Sequence, residues 1–126
     1  MSSSHPRPER VATPASPYSP VVVSGDLVYV SGQVAHDERG ELVPGGIVEQ
    51  TTRALENLGA CLRAAGCGLA DVLKVNEYLA DLSDVAAYHD VYRAYFVEPY
   101  PARTTVGAAL APGLLVEIDA VARVPA

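Results

Sequence analysis

Leu115-Val116-Glu117-Ile118-Asp119-Ala120-Val121-Ala122-Arg123-Val124 alternates along its whole length, and that alternation decides the fold class. In an extended chain successive side chains point to opposite faces. One face then carries Val116, Ile118, Ala120, Ala122 and Val124, all apolar, while the other carries Leu115, Glu117, Asp119, Val121 and Arg123. A strand with one dry face belongs to a sheet covered by other elements on that side only. Its second face is too acidic for a core and too apolar for plain solvent, a mixture that suits a contact between subunits.

Working back from this strand, Ala111-Pro112-Gly113 reads as a turn and Thr104–Leu110 as another strand. Pro101-Ala102-Arg103-Thr104-Thr105-Val106 leads into it with a single arginine. A guanidinium is permanently charged and presents five donors in a planar fork, which matches a carboxylate; the plainer reading is a strand-end arginine paired with a surface acid. Upstream, Ser83 is placed to cap a helix in which Val85, Tyr88, Val91, Tyr92, Tyr95 and Phe96 form a broad apolar face. Such a face is a core face, from which Tyr88 and Tyr92 can still offer a hydroxyl to a cleft. Pro99 and Pro101 keep the helix from continuing.

Val72–Leu79 reads as a strand with Asn76 and Glu77 near its middle, so one of its faces is polar or covered by a partner. From Ile47 the period changes: Val48, Thr51, Leu55, Leu58, Leu62 and Ala65 recur three and four apart on one helical stripe, and Gly66 follows as the cap. Asp37-Glu38-Arg39-Gly40 and Pro44-Gly45-Gly46 are loop signals. Val21–Val23 and Leu27–Ser31 form a hairpin about Ser24-Gly25-Asp26, broken or bulged at Gly32-Gln33. Residues 1–16, rich in proline and poor in apolar side chains, are expected to be a flexible tail, and residues 17–126 a single domain. The order of strands, helix, strand, helix, strands predicts an α+β layer with both helices on one face of the sheet. Tyr29, Leu115 and Val121 make the other face apolar enough to predict a homo-oligomer.

Composition limits what such a domain does. In 126 residues, 49% hydrophobic and 19% charged, there is room for one core. No run approaches the roughly 20 apolar residues of a membrane span, and the first residues lack the apolar stretch of a secretory signal. A soluble cytoplasmic protein with no membrane partner is expected. The net charge of −6 works against binding a phosphate backbone, and with Lys74 the single lysine and the arginines scattered, no basic patch and no nucleic-acid partner are expected. Cys61 and Cys67, in or beside one helix, read as reduced thiols. Together with His5, His36 and His89 they show no metal-ligand spacing, so no metal is expected.

Pro17-Tyr18-Ser19-Pro20, Val30-Ser31-Gly32-Gln33, the helix from Glu49-Gln50-Thr51 to Asn57-Leu58, Pro101-Ala102-Arg103-Thr104 and Val116-Glu117-Ile118-Asp119-Ala120 resemble the RidA (YjgF) reactive-intermediate deaminase family. The likeness covers about residues 17–124, with the motifs in order. It implies a chorismate-mutase-like α+β fold, a mixed sheet covered by two helices, assembled as a homotrimer with clefts between subunits. It also implies hydrolysis of 2-imino and 2-enamino acids to 2-oxo acids and ammonia, without cofactor or metal. By the same resemblance Arg103 anchors the substrate carboxylate, Glu117 orients water and passes a proton, and Tyr18 and Ser31 line the cleft. Two positions depart from the family pattern and bear on substrate choice: His89 stands where asparagine is usual and Thr105 where cysteine is frequent. The segment between Arg103 and Glu117 is about one residue shorter than usual, with Gly107-Ala108-Ala109 in place of a more polar stretch. Three other readings stay open: a non-catalytic trimer that binds small carboxylates, an RNA-cleaving relative, and a specialised pathway enzyme acting on a larger imine or enamine acid.

Overall fold

The computed structural model describes residues 3–126. Six strands form one sheet: β1 (Ser3–Ser4), β2 (Val21–Ser24), β3 (Leu27–Gln33), β4 (Val72–Leu79), β5 (Ala102–Gly107) and β6 (Val116–Arg123). Two helices, α1 (Ile47–Ala64) and α2 (Val85–Tyr95), complete the fold. The strand order is β1-β2-β3-β6-β4-β5, with every neighbour antiparallel except the pair β4–β5 at one edge. This is the mixed sheet with two helices expected of an α+β domain.

The alternation of β6 places the core. Val116, Ile118, Ala120 and Ala122 are buried, and so are Val28 and Val30 of β3 and Val75 and Leu79 of β4. Against them α1 lays Leu55, Leu58 and Leu62, each fully buried, with roughly 1.5–3 kcal/mol available from each on leaving water. Val48 does not join this stripe and is 46% exposed; in the first turn of α1 it is Ile47 that packs against the core. The helix ends as its glycine requires. Gly66 takes φ +82° and its N–H reaches the Arg63 carbonyl, while the Cys67 N–H reaches that of Leu62, the paired bonds of a Schellman motif.

Side-chain amides stitch the connections to α1. Buried Gln50 donates through Nε2 to the Gly113 carbonyl (2.8 Å) and accepts the Leu115 N–H (2.9 Å), fixing the approach to β6. Asn57 donates to the carbonyls of Val34 and His36, holding the loop after β3. Arg53 reaches the same His36 carbonyl and, through Nη2, that of Arg10. Within the stretch expected to be a flexible tail, Ser3–Ser4 pair with Val23 and Ser24 and Val11 packs on the core; Met1 and Ser2 lie outside the described residues.

Folding also revises three local expectations. Ser83 is not the cap of α2, whose first flanking residue is Asp84; Asp81 caps the 3-10 turn (Leu82–Asp84) that leads into the helix, its carboxylate accepting both the Ser83 N–H (2.9 Å) and hydroxyl (2.7 Å). The strand expected over Thr104–Leu110 lies at Ala102–Gly107, because its partner β4 runs out at Leu79, whose carbonyl takes the Ala108 N–H as the last bond of the pairing. The arginines scattered along the chain are not scattered in space. Arg7, Arg10, Arg53 and Arg63 line two adjoining concavities between the N-terminal segment and α1, with the acids Glu9 and Glu56 among them.

Candidate active site

Glu77 is the most constrained charged residue described. The inward alternation of β4 puts it between Val75 and Leu79 on the helix-covered face, opposite Ile118, and it is 0% exposed. The parallel register of β4 with β5 sets Val75 beside Arg103 and Glu77 beside Thr105. Both β5 side chains converge on one oxygen: Arg103 Nε lies 3.2 Å from Glu77 Oε1, and the Thr105 hydroxyl donates to it at 2.8 Å. Burial pushes the Glu77 carboxyl up to about 7, against the opposing pull of the Thr105 hydrogen bond and the Arg103 charge.

Arg103 stands at the mouth of this arrangement with its side chain 32% exposed. Its Cζ lies 5.3 Å from the centroid of Tyr92, a cation–π contact that holds the guanidinium over the ring. Around it opens a pocket of about 320 Å³ lined by His89, Tyr92, Arg93, Tyr100, Pro101 and Arg103. α2 contributes the wall: Tyr88, His89 and Tyr92 follow one another at helical spacing, with the Tyr92 ring stacked on Phe96 at 4.5 Å. His89 is held toward its neutral form by burial first and by the Arg103 charge second. Burial likewise pushes the Tyr92 hydroxyl up to about 12. The buried polar atoms Glu77 Oε2, Tyr88 OH, His89 Nε2 and Tyr92 OH have no hydrogen-bond partner among the described residues. A pocket with an arginine at its mouth and unpaired polar atoms in its wall is built to receive a small polar anion.

The other expected site residues lie on the opposite face. Glu117 alternates outward on β6 and covers Gly32, where a Cβ would overlap Glu117 Oε2. Desolvation, and then the nearby Asp119, raise the Glu117 carboxyl above its ordinary range. Ser31 lies beside Gly32, its hydroxyl donating to the Ser19 carbonyl at 2.6 Å, which holds the loop bearing Tyr18 against β3. Tyr18 is 49% exposed. Asp119 accepts from Asn76 (2.8 Å) and Tyr78 (3.0 Å), forming a polar centre on the same outer face.

The six expected residues therefore fall into two groups: Arg103, Thr105 and His89 at the β5 edge under α2, and Glu117 and Ser31 on the uncovered face with Tyr18 in the loop that Ser31 holds. β4 separates β5 from β6, a lateral distance of about 10 Å between the outer two strands. Arg103 is level with Val75 and Glu117 with Tyr78, about another 10 Å along the strands. No small substrate spans both groups within one chain. Glu77 was missed as a site residue. Its sequence signal was a lone acid at an inward position of an otherwise apolar alternation, but nothing in the linear chain joins it to Arg103. Cys61 and Cys67 are free and buried thiols, with Cys61 pushed up to about 12 by desolvation, so neither offers a reactive thiolate. Among the described residues no group of three His, Cys, Asp or Glu side chains is placed to hold a metal ion, and no helix is long and apolar enough to cross a membrane.

Fold and site together define a small α+β domain with an anion-accepting arginine at a sheet edge. Residues 9–124 match the family described as endoribonuclease L-PSP, and the chain belongs to that family, the RidA/YjgF proteins. It is 46% identical over 108 residues to 2-iminobutanoate/2-iminopropanoate deaminase of Capra hircus, covering 84% of this chain and 79% of that protein. Among solved structures it is similar to RidA from an Antarctic Psychrobacter (TM-score 0.90, 38% identity, 95% of this chain and 98% of the other). It is also similar to E. coli TdcF with bound serine (TM-score 0.88, 32% identity, 95% and 98%).

Proposed function

We propose that this protein is a cofactor-free imine deaminase, hydrolysing 2-imino and 2-enamino acids to 2-oxo acids and ammonia. The observation that carries the reading is Arg103, an arginine with about a third of its side chain exposed at the mouth of a pocket, in a chain 46% identical to a protein named as a deaminase of such imines. Arg103 takes the substrate carboxylate and so fixes the position of the imine carbon. That carbon is already electrophilic, and the chemistry needs one oriented water and a proton for nitrogen. Water adds to the carbon, a proton passes to nitrogen, and the C–N bond breaks to leave a 2-oxo acid and ammonia.

Glu117 is the group for the water and the proton, its raised pKa bringing it closer to the neutral range where a carboxyl can both accept and return a proton. Because Glu117 and Arg103 face opposite ways in one chain, the complete site lies between subunits of a homotrimer with a chorismate-mutase-like arrangement. Arg103 comes from one chain, and Glu117, Ser31 and Tyr18 from its neighbour. Tyr29, 46% exposed on the uncovered face, and half-buried Leu115 and Val121 supply apolar surface for that contact. The family's description names an endoribonuclease; the net charge of −6 and the single histidine beside Arg103 favour imine hydrolysis over RNA cleavage.

The test is to generate 2-iminopropionate with an amino-acid oxidase and time its decay. Wild type should outpace buffer, and Arg103→Ala should lose about 2–4 kcal/mol of transition-state stabilisation. Decay no faster than in buffer, with a 2-oxo acid still bound, would instead identify a carboxylate-binding protein.

A further inference from the structure

Arg103 cannot by itself hold a productive orientation, since an arginine at the edge of a sheet has four rotatable side-chain bonds and a third of its surface in solvent. Here it is gripped at two points: Nε against Glu77 Oε1 and the guanidinium plane over Tyr92. Neither contact uses Nη1 or Nη2, the pair that can take a carboxylate end-on. Glu77 in turn is set by the Thr105 hydroxyl on the same oxygen and by its fully buried place on β4. A buried acid at this position costs stability unless it is paired, and its one ionic partner among the described residues is Arg103.

We propose that Glu77 is the positioning residue of the site: with Thr105 it orients the Arg103 guanidinium toward the pocket, and its carboxylate competes with the substrate carboxylate for the same positive charge. The inference rests on Arg103 being the substrate anchor.

It follows that carboxylate affinity depends on the ionisation of Glu77. With Glu77 neutral, Arg103 meets an incoming anion with its full charge; with Glu77 ionised, the charge is already balanced. Burial places that change near neutrality. The groups facing the pair do not blur it. From α2, Tyr92 is raised and remains neutral, and His89 is held toward its neutral form by burial and then by the Arg103 charge, a background that wild type and the Glu77 variants share. From β6, the residue opposite is Ile118. From the segment before β5, Tyr100 contributes a ring to the pocket wall.

The test uses the full chain and 2-oxobutanoate, whose carboxylate is ionised throughout, with calorimetric Kd at pH 6 and pH 8 beside imine turnover. In wild type, Kd should weaken about five- to tenfold from pH 6 to pH 8. In Glu77→Gln, which keeps an acceptor oxygen for Thr105 and Arg103, Kd should be flat over that range and kcat within about threefold of wild type. In Glu77→Ala, which has no acceptor, kcat should fall at least about tenfold, so that glutamine rescues what alanine loses. A Glu77→Gln protein that keeps the wild-type pH dependence of Kd overturns the proposal, as does a folded Glu77→Ala with wild-type kcat. Should Glu77→Ala not fold, the comparison of wild type with glutamine decides alone. The two readings fail separately: a wild type that never deaminates ends the enzyme reading, while an active, Arg103-dependent enzyme indifferent to Glu77 ends only this one.

Discussion

At the scale of single residues, Glu77 shows how a buried charge makes stability depend on pH. Its carboxyl is raised in the folded state, from 4.5 to about 7, so folding favours the protonated form. The stabilisation from that preference is complete below about pH 4.5 and is lost as pH rises through 7, amounting to about 3 kcal/mol over the window. Glutamine cannot ionise. Urea unfolding of wild type and Glu77→Gln should therefore diverge, with the variant gaining on wild type by about 3 kcal/mol between pH 5 and pH 8. A stability difference that stays constant over that range would mean Glu77 titrates in the folded protein as it does unfolded. Thr105 works against the preference: its hydroxyl donates to the buried Oε1 and so favours the ionised carboxylate.

At the scale of elements, β3 and β6 meet on the uncovered face where Gly32 leaves room for the Glu117 side chain. The bulge in β3 between Val30 and Gln33 creates this space. In Gly32→Ala the new methyl should push the carboxyl end of Glu117 aside at a cost of about 1 kcal/mol, since that end is flexible. Imine turnover, if Glu117 orients the water, should fall at least about tenfold with Kd for 2-oxobutanoate little changed. Equal loss of affinity and turnover would place the damage elsewhere.

Elements were legible where a period ran uninterrupted. Val72–Leu79 and the β6 alternation appear in the structure almost residue for residue, and α1 ends at the expected Gly66. What stayed hidden depends on partners distant in sequence. The bounds of β5 follow from where β4 stops, and Glu77 gains its meaning only beside Arg103; the cap ahead of α2, a local contact, was misplaced because Asp81 reaches forward to Ser83 at the head of a 3-10 turn. Arg103, Thr105 and His89 were named only as members of one cleft with Glu117, Ser31 and Tyr18; the fold gathers the first three at one corner. Their separation from Glu117 by a face and two strand spacings could not be read before the sheet order was known.

At the scale of the whole molecule, the domain has one face sealed by helices and one left with Tyr29, Val121 and Leu115 beside the Glu117–Asp119 acids. Light scattering at micromolar concentration should give the mass of three 13.2 kDa chains; a monomer that still deaminates would require a site completed within one chain. Subunit contact would then decide activity, and dilution would lower both together. The parallel register of β4 with β5 sets a rule for insertions and deletions. Connecting residues 97–100 can change in number without altering which face Arg103 takes, because the register is fixed by pairing and not by the length of the connection. One residue added between Arg103 and Thr105 must turn one of them to the far side of the sheet. The chain can lengthen the path to its anchor, but it cannot lengthen the anchor strand by a single residue and keep both hands on Glu77.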